Sequence, residues 1–183
     1  MPGARLFVAL WPDAAVRARL AAFRDDWRWP PDARRVADAN LHATLHFIGS
    51  FPRERVVALT ERLAAVRRRA VTLRAESTAV WRGGIAVLML NGDAALAALH
   101  KETGTALSNL GIALDARPYA AHVTLARKAA HAEPPPEVPD LGWRAIGFVL
   151  AESLRGPPSK YEVLARWGEL DLRTPDDASR SRK

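Results

Sequence analysis

Two short motifs hold the residues of this chain that are best suited to chemistry. His42-Ala-Thr44-Leu and His122-Val-Thr124-Leu each place an imidazole two residues before a hydroxyl. In a β-strand this spacing puts both side chains on one face, because successive side chains alternate between the two faces. Two such strands facing across a cleft would surround one small space with two imidazoles and two hydroxyls.

These four groups meet the chemical needs of cyclic phosphodiester hydrolysis. One imidazole would activate an attacking water while the other protonates the departing ribose oxygen, and a pKa near neutrality suits both tasks. The hydroxyls of Thr44 and Thr124 could donate hydrogen bonds to the non-bridging phosphate oxygens. We therefore predict an enzyme that needs neither a metal nor a cofactor. The residues themselves leave open which histidine is the acid and which is the base.

The two motifs belong to an internal repeat with an offset of 80 residues. Asp13 and Asp93 each precede an apolar helix, and each lies 29 residues before its histidine. A single His-x-Thr strand would be weak evidence, because any half-exposed strand can carry one. Two copies at the same distance from matched helix caps favour a functional pair.

The repeat predicts an α+β fold, a bilobal domain with a pseudo-twofold axis and two antiparallel sheets flanking a central cleft, with helices outside. Residues 1–173 form this domain, and the polar segment 174–183 is expected to be a disordered tail. Helices are predicted over 14–27, 53–69 and 94–110. Strands are predicted over 6–10, 41–48, 71–77, 85–90, 121–125, 144–153 and 161–170.

The strand over 41–48 alternates between an apolar and a polar face. Its predicted polar face carries His46 beside His42 and Thr44, and its predicted apolar face ends with Phe47. On a helix, His42 and His46 would suggest a zinc site. The alternation indicates a strand, however, and no glutamate follows His42 as the zinc-protease motif requires. We therefore expect His46 to lie at the edge of the cleft without a chemical role.

The remaining candidate residues carry weaker signals. His100 in a helix and His131 in a loop are expected at the surface. Trp27, Trp29 and Trp81 could stack on bases, but packing is the commoner role of tryptophan, and no binding role is assigned to them.

The composition narrows the class of protein. The absence of cysteine excludes disulfides and thiolate metal sites. The 27 basic and 20 acidic residues give a net charge of +7, which favours a polyanionic partner, although an arginine-rich composition alone would give the same balance. The apolar run at 6–11 is too short for a membrane span or a signal peptide. We expect a cytoplasmic protein without membrane association, and a monomer.

Three segments around the motifs resemble the two-histidine phosphoesterases, and within them the LigT-like RNA 2′,3′-cyclic phosphodiesterases. They are Arg5-Leu-Phe-Val-Ala-Leu, Asn40-Leu-His-Ala-Thr-Leu-His-Phe-Ile-Gly and Arg117-Pro-Tyr-Ala-Ala-His-Val-Thr-Leu-Ala-Arg. The similarity continues weakly over 153–161. One departure is Ala121, which stands where a proline is common before the second motif.

This resemblance implies a bilobal fold and metal-independent opening of RNA 2′,3′-cyclic phosphate ends to 2′-phosphates. It makes His42 the proton donor and His122 the proton acceptor, with Thr44 and Thr124 beside them. In some members the same site joins 2′–5′ RNA linkages. The alternatives for this chain are a 2′–5′ RNA ligase or phosphodiesterase that uses the same residues, and a basic RNA-end-binding protein without turnover.

Arg127 belongs to the family's Thr-Leu-x-Arg continuation and could bind the phosphate of the substrate. It lies five residues after His122, so strand alternation would place it on the opposite face. It can reach the cleft only if the strand bends or ends near Ala126. Otherwise it is a solvated arginine at a strand end.

Overall fold

Nine strands form one antiparallel sheet in the computed structural model, which describes residues 3–154, 156 and 160–168. They are β1 (Ala4–Leu10), β2 (Arg34–Arg35), β3 (Ala43–Phe51), β4 (Ala70–Trp81), β5 (Ile85–Gly92), β6 (His122–Arg127), β7 (Gly142–Ile146), β8 (Phe148–Leu154) and β9 (Lys160–Trp167). The predicted tail over 174–183 and the last two residues of the predicted strand 161–170 lie outside the described residues.

The order of the strands divides the sheet into two matching halves. It runs β7-β4-β5-β6-β3-β1-β8-β9, with the short β2 paired to β6. The halves meet where β3 pairs with β6 through one register pair, Ala43 with Val123. β5 and β6 in one half correspond to β1 and β3 in the other. The predicted two-lobed α+β fold is confirmed, and the two sheets predicted for it are the two halves of one continuous sheet, joined where β3 pairs with β6.

Three α-helices lie on the sheet: α1 (Ala14–Asp25), α2 (Val56–Ala64) and α3 (Ala94–Ser108). The Asp13 carboxylate accepts a hydrogen bond from the Val16 amide at 2.8 Å, and the Asp93 carboxylate accepts one from the Leu96 amide at 3.0 Å. Both predicted N-caps therefore form. The predicted helix over 53–69 is shorter in the structure at both ends: its first turn is the 3-10 helix Arg53–Arg55, and the α-helix ends at Ala64. No helix in the described part of the chain is long and apolar enough to cross a membrane.

The sheet is buried on both faces in the half that contains β1. Leu6, Val8 and Leu10 join the large core beneath the helices, whereas Phe7 and Ala9 belong to a smaller cluster on the opposite face. This second face is the one that borders the cleft. The alternation along β1 therefore separates a helix-covered face from a cleft face.

Each histidine motif contains a β-bulge at its leucine. Along β3, Thr44 pairs with Ala9 and His46 with Val8, so Leu45 is the extra residue. A bulge changes which face the following residues occupy. The faces predicted beyond Thr44 are therefore wrong: His46 turns toward α3, and Phe47 is 65% exposed on the cleft face. His46 nevertheless borders the cavity, in agreement with the position predicted for it at the edge of the cleft.

The prediction of one strand over 144–153 is also wrong, because Gly147 divides this segment into β7 and β8. Its φ of 89° lies in a region that favours glycine. β7 pairs with β4, and β8 pairs with β1 and β9, so the break sends the chain from one half of the sheet to the other. A side chain at this position would collide with the Trp167 carbonyl.

Candidate active site

The two histidine rings are held in the same way by the backbone. His42 Nδ1 lies 2.6 Å from the Asn40 carbonyl oxygen, and His122 Nδ1 lies 2.8 Å from the Ala120 carbonyl oxygen. Because a carbonyl oxygen can only accept, each Nδ1 carries a proton. In the neutral ring, Nε2 therefore has a free lone pair and can accept or, once protonated, deliver a proton.

The threonines of the motifs lie on the same face as the histidines. Thr44 Oγ1 is 3.0 Å from His42 Nε2, and since Nδ1 of this ring carries the proton, the hydroxyl donates to Nε2. Thr124 occupies the matching position in the second motif and lines the cleft with Thr44 and His122. The cleft is a cavity of about 550 Å³.

The two histidines share one electrostatic environment. Burial lowers the pKa of His42 from 6.5 to about 4; the hydrogen bond to the Asn40 carbonyl opposes this, and the charges of His122 and Arg127 add to it. Burial also lowers the pKa of His122. The hydrogen bond to the Ala120 carbonyl raises this pKa, and the charge of Arg127 lowers it further. Both rings are therefore neutral at pH 7 in the ligand-free protein.

Arg127 reaches the cleft because β6 bulges at Leu125. Thr124 pairs with Val87 and Ala126 with Ala86, so Leu125 is the extra residue and Arg127 turns to the face of Thr124. The guanidinium lines the cavity. Within the described residues, it forms neither a salt bridge nor a hydrogen bond. It is thus an unpaired positive charge beside both histidines.

Three aromatic side chains that were not predicted from the sequence surround His42. Trp11 stacks parallel to the imidazole at 5.0 Å between ring centroids, Phe7 at 4.9 Å, and Tyr161 meets it edge-on at 5.4 Å. For Phe7 a local signal exists, because strand alternation puts it on the face opposite Leu6. Trp11 and Tyr161 come close only through the pairing of distant strands. This enclosure is what removes His42 from water.

The part of the cavity wall beside His122 is apolar. The Trp81 ring lies 4.4 Å from the His122 ring at 63°. Ile85 and Met89 continue this wall along β5, and Phe47 stands at the mouth of the cavity on β3. From the sequence, no binding role was predicted for Trp81. The structure places it against a candidate catalytic histidine.

His46 lies in a stack of three rings between β3 and α3. Its ring is 4.1 Å from that of His100, which is 4.0 Å from that of Tyr119. His46 Nε2 bonds to the His100 carbonyl oxygen at 2.8 Å, and the Tyr119 hydroxyl donates to the Thr44 carbonyl oxygen at 3.2 Å. The expectation of a surface position for His100 is therefore wrong, since its ring is packed between two others.

The remaining candidates lie away from the cleft. His131 is exposed, as expected. Trp27 is buried in the core and stacks on Trp29 at 5.0 Å, so both tryptophans serve packing. Across residues 3–154, 156 and 160–168, no three histidine or carboxylate side chains form a group that could hold a metal ion.

The arrangement supports acid–base chemistry on an anion. Two imidazoles present Nε2 on one face, two hydroxyls accompany them, and the unpaired Arg127 supplies a positive charge. A bound phosphate would meet donors from both halves of the sheet. Proton transfer at two separate oxygens of one phosphodiester is the reaction that this geometry can perform.

The sequence and the fold are similar to those of known phosphoesterases. The model of the LigT like Phosphoesterase family matches residues 10–87. The RNA 2′,3′-cyclic phosphodiesterase of Escherichia coli (strain K12) is 31% identical over 169 residues, which cover 89% of this chain and 95% of that protein. The RNA 2′,3′-cyclic phosphodiesterase of Geobacillus stearothermophilus is 32% identical over 142 residues, which cover 71% of this chain and 39% of that protein. The crystal structure of E. coli LigT complexed with 3′-AMP has a TM-score of 0.79 at 27% identity, covering 92% of this chain and 98% of that one.

Proposed function

The chain belongs to the LigT-like phosphoesterase family, and on this premise we propose that it hydrolyses RNA 2′,3′-cyclic phosphate ends to 2′-phosphates. The observation that carries the proposal is the matched presentation of two histidine Nε2 atoms on one face, each fixed by the carbonyl two residues before it. The names of the relatives in E. coli and G. stearothermophilus support the same activity.

The proposed reaction uses the roles that the family resemblance implies. His122 Nε2 accepts a proton from water while the water oxygen forms its bond to phosphorus. The bond from phosphorus to the ribose 3′ oxygen breaks, and His42 Nε2 donates a proton to that oxygen. The product carries a 2′-phosphate and a free 3′-hydroxyl. Exchange of protons with solvent then restores both rings.

The negative charge of the substrate would favour the protonated form of His42. Burial holds the pKa of this ring at about 4 in the ligand-free protein, so the ring is neutral near pH 7. A phosphodiester anion between the rings raises the pKa of both, because an opposite charge favours the protonated form. A ring whose own pKa is low also gives up its proton readily, which suits the donor to a departing oxygen.

The other polar groups would hold the phosphate. Thr44 and Thr124 hydroxyls can donate to the non-bridging oxygens on the two sides of the cleft. When His42 is protonated at Nε2, the Thr44 hydroxyl is released from donating to that atom and becomes free to turn to the phosphate. Arg127 adds a positive charge to which no described carboxylate is paired.

The test is hydrolysis of an oligonucleotide with a 2′,3′-cyclic phosphate end in the presence of EDTA. We expect a 2′-phosphate product, and His42→Gln and His122→Gln should each lower kcat by roughly 10²–10⁴-fold, the usual effect of one positioned acid or base. His131→Gln is the matched control, because this histidine lies on the surface away from the cleft.

Other outcomes would contradict the proposal in recognisable ways. Activity that disappears in EDTA and returns with a divalent metal would exclude the two-histidine mechanism. Turnover unchanged in both glutamine variants would exclude it as well. Binding of the RNA end without turnover would favour the binding protein, and joining of 2′–5′ ends without hydrolysis would favour the ligase.

A further inference from the structure

The segment that leads to the first histidine motif carries two consecutive arginines on opposite faces of the sheet. Arg34 and Arg35 form β2, and successive side chains of a strand point to opposite faces. A guanidinium nitrogen of Arg35 lies 3.1 Å from Oδ1 of Asp25, the last residue of α1, so Arg35 faces the helices. Arg34 therefore points to the other face of the sheet, on which the cleft lies.

Strand pairing gives the same orientation for Arg34. β2 is antiparallel to β6, with Arg35 opposite Ala126 and Arg34 opposite Arg127. Residues directly opposite each other share one face of a sheet. Ala126 belongs to the core beneath the helices, whereas Arg127 lines the cavity. Arg34 thus lies beside Arg127 on the cleft face, and the Cα atoms of such a pair are roughly 4.5–5.5 Å apart.

The backbone around Arg34 is held in place by hydrogen bonds of the next residues. The Val36 amide donates to the Leu125 carbonyl oxygen at 2.8 Å, which continues the pairing of β2 with β6. The Val36 carbonyl oxygen accepts a hydrogen bond from the guanidinium of the buried Arg24. The fold of the backbone therefore keeps Arg34 opposite Arg127.

This arrangement places two positive charges side by side without a counter-charge. Like charges directly opposite each other destabilise a strand pair. Among the residues that the structure describes, neither Arg34 nor Arg127 forms a salt bridge or a side-chain hydrogen bond. A bound polyanion would relieve the repulsion, because each guanidinium can bind a separate phosphate group through two N–H donors.

The two guanidinium groups lie at different depths of the site. Arg127 lines the cavity, where the cyclic phosphate would lie between His42 and His122, whereas Arg34 is exposed on the neighbouring strand, beside the residues that line the cavity. In an RNA chain the terminal nucleotide bears the cyclic phosphate, and its 5′ oxygen bears the phosphate that joins it to the preceding nucleotide. Two adjacent cations, one inside the cavity and one outside, match these two phosphates.

We propose that Arg34 binds the phosphodiester group that links the terminal nucleotide to the preceding one. The proposal rests on the proposed function and adds to its site a second site, for the backbone of the RNA chain. A guanidinium recognises this phosphate by its charge and its paired N–H donors, whichever bases are attached. The contact therefore favours an RNA chain over a nucleoside cyclic monophosphate without adding sequence preference.

The experiment uses two dinucleotide substrates that differ in one charge. Both consist of thymidine joined through its 3′ oxygen to the 5′ oxygen of uridine 2′,3′-cyclic phosphate, and the linkage is either a phosphodiester or a neutral methylphosphonate. The parent protein should prefer the charged substrate by roughly 10-fold in kcat/KM, the order of one hydrogen bond to a charged group. This preference should arise mainly from KM. Arg34→Gln should abolish it, and Arg34→Lys should restore part of it, because lysine keeps the charge but lacks the paired donors.

Arg35→Gln is the matched control, because it removes the same charge one residue away, on the other face of β2. It should keep the preference of the parent for the charged substrate. Equal kcat/KM of the parent for both substrates would overturn the inference, as would a preference that persists in Arg34→Gln. An equal loss on both substrates in Arg34→Gln would overturn it too, because Arg34 would then act on the cyclic phosphate or on the fold.

Failure of the proposed function gives a different result, because the parent protein then hydrolyses neither dinucleotide. Calorimetry with the two corresponding dinucleotides that end in a 2′-phosphate then measures binding without turnover. Tighter binding of the phosphodiester that is lost in Arg34→Gln and kept in Arg35→Gln supports the inference. Equal or undetectable binding of the two ligands by the parent refutes it.

Discussion

The burial of His42 should make the protein sensitive to mild acid. The folded protein holds the pKa of this ring at about 4 against 6.5 for an exposed histidine. Between these two values the unfolded chain binds a proton that the folded protein does not. The free energy of unfolding therefore falls as the pH falls through this interval, by about 1.4 kcal/mol per pH unit for one proton. The whole interval corresponds to about 3 kcal/mol for His42.

The assay is urea unfolding at pH 7, 6, 5 and 4 for the parent, His42→Gln and His131→Gln. A glutamine amide can still donate to the Asn40 carbonyl, but it does not titrate. The parent and His131→Gln should lose the same amount of stability from pH 7 to pH 4. His42→Gln should lose about 3 kcal/mol less over this range, whatever its stability at pH 7.

Two results would refute the reasoning on His42. Parallel stability curves for the parent and His42→Gln would mean that the ring takes up its proton in the folded protein as easily as in the unfolded chain. A difference in stability between the two proteins that appears only above pH 7 would mean that folding raises the pKa of His42, whereas burial of a neutral base lowers it. The aromatic enclosure by Trp11, Phe7 and Tyr161 would then not desolvate the ring.

Two further predictions concern Arg127 and the first helix cap. Arg127→Ala should raise KM for cyclic-phosphate RNA more than it lowers kcat, because the guanidinium would contact the phosphate both before and during the reaction. The control is Arg28→Ala, which removes an arginine with an 87% exposed side chain. Unchanged kinetics for Arg127→Ala would show that the guanidinium does not contact the phosphate. Asp13→Ala should lower the free energy of unfolding by about 0.5–2 kcal/mol, since the Val16 amide loses its acceptor. Chemical denaturation beside Asp32→Ala, an exposed turn residue, measures this, and equal midpoints would contradict it.

Local patterns in the sequence were sufficient to predict the helix caps and the motif strands of the repeat. An N-cap depends on one side chain and an amide three residues later, so Asp13 and Asp93 could be identified without any tertiary contact. The same holds for the pairing of each histidine with its threonine along a strand. The matched distances between caps and motifs then gave the two-lobed arrangement.

Strand alternation gave the wrong face for residues that follow a β-bulge, because a bulge depends on the pairing with a neighbouring strand. The bulge at Leu45 exists because Thr44 and His46 pair with consecutive residues of β1, which leaves Leu45 without a partner. Leu125 is left without a partner on β5 in the same way. The break at Gly147 did have a local signal, because an isolated glycine within a strand pattern often marks a bend. Tyr161, a partner of His42, had no local signal, since it reaches the ring only through the pairing of β8 with β9.

The bulges explain how a symmetric backbone can build an asymmetric site. Each bulge keeps its leucine buried while it turns the next-but-one residue to the cleft, and the chain places Arg127 at one such position and Phe47 at the other. The surroundings of the histidines differ in the same way. Among the residues that the structure describes, three aromatic rings enclose His42, whereas Trp81 alone contacts His122. A phosphodiester also has two unlike sides, one that water attacks and one from which the ribose oxygen departs. A symmetric pair of motifs can therefore act as an acid and a base only when the residues around them break the symmetry. In this chain those residues are Phe47 and Arg127 on the motif strands, and the aromatic rings of Phe7, Trp11, Trp81 and Tyr161 from other parts of the chain.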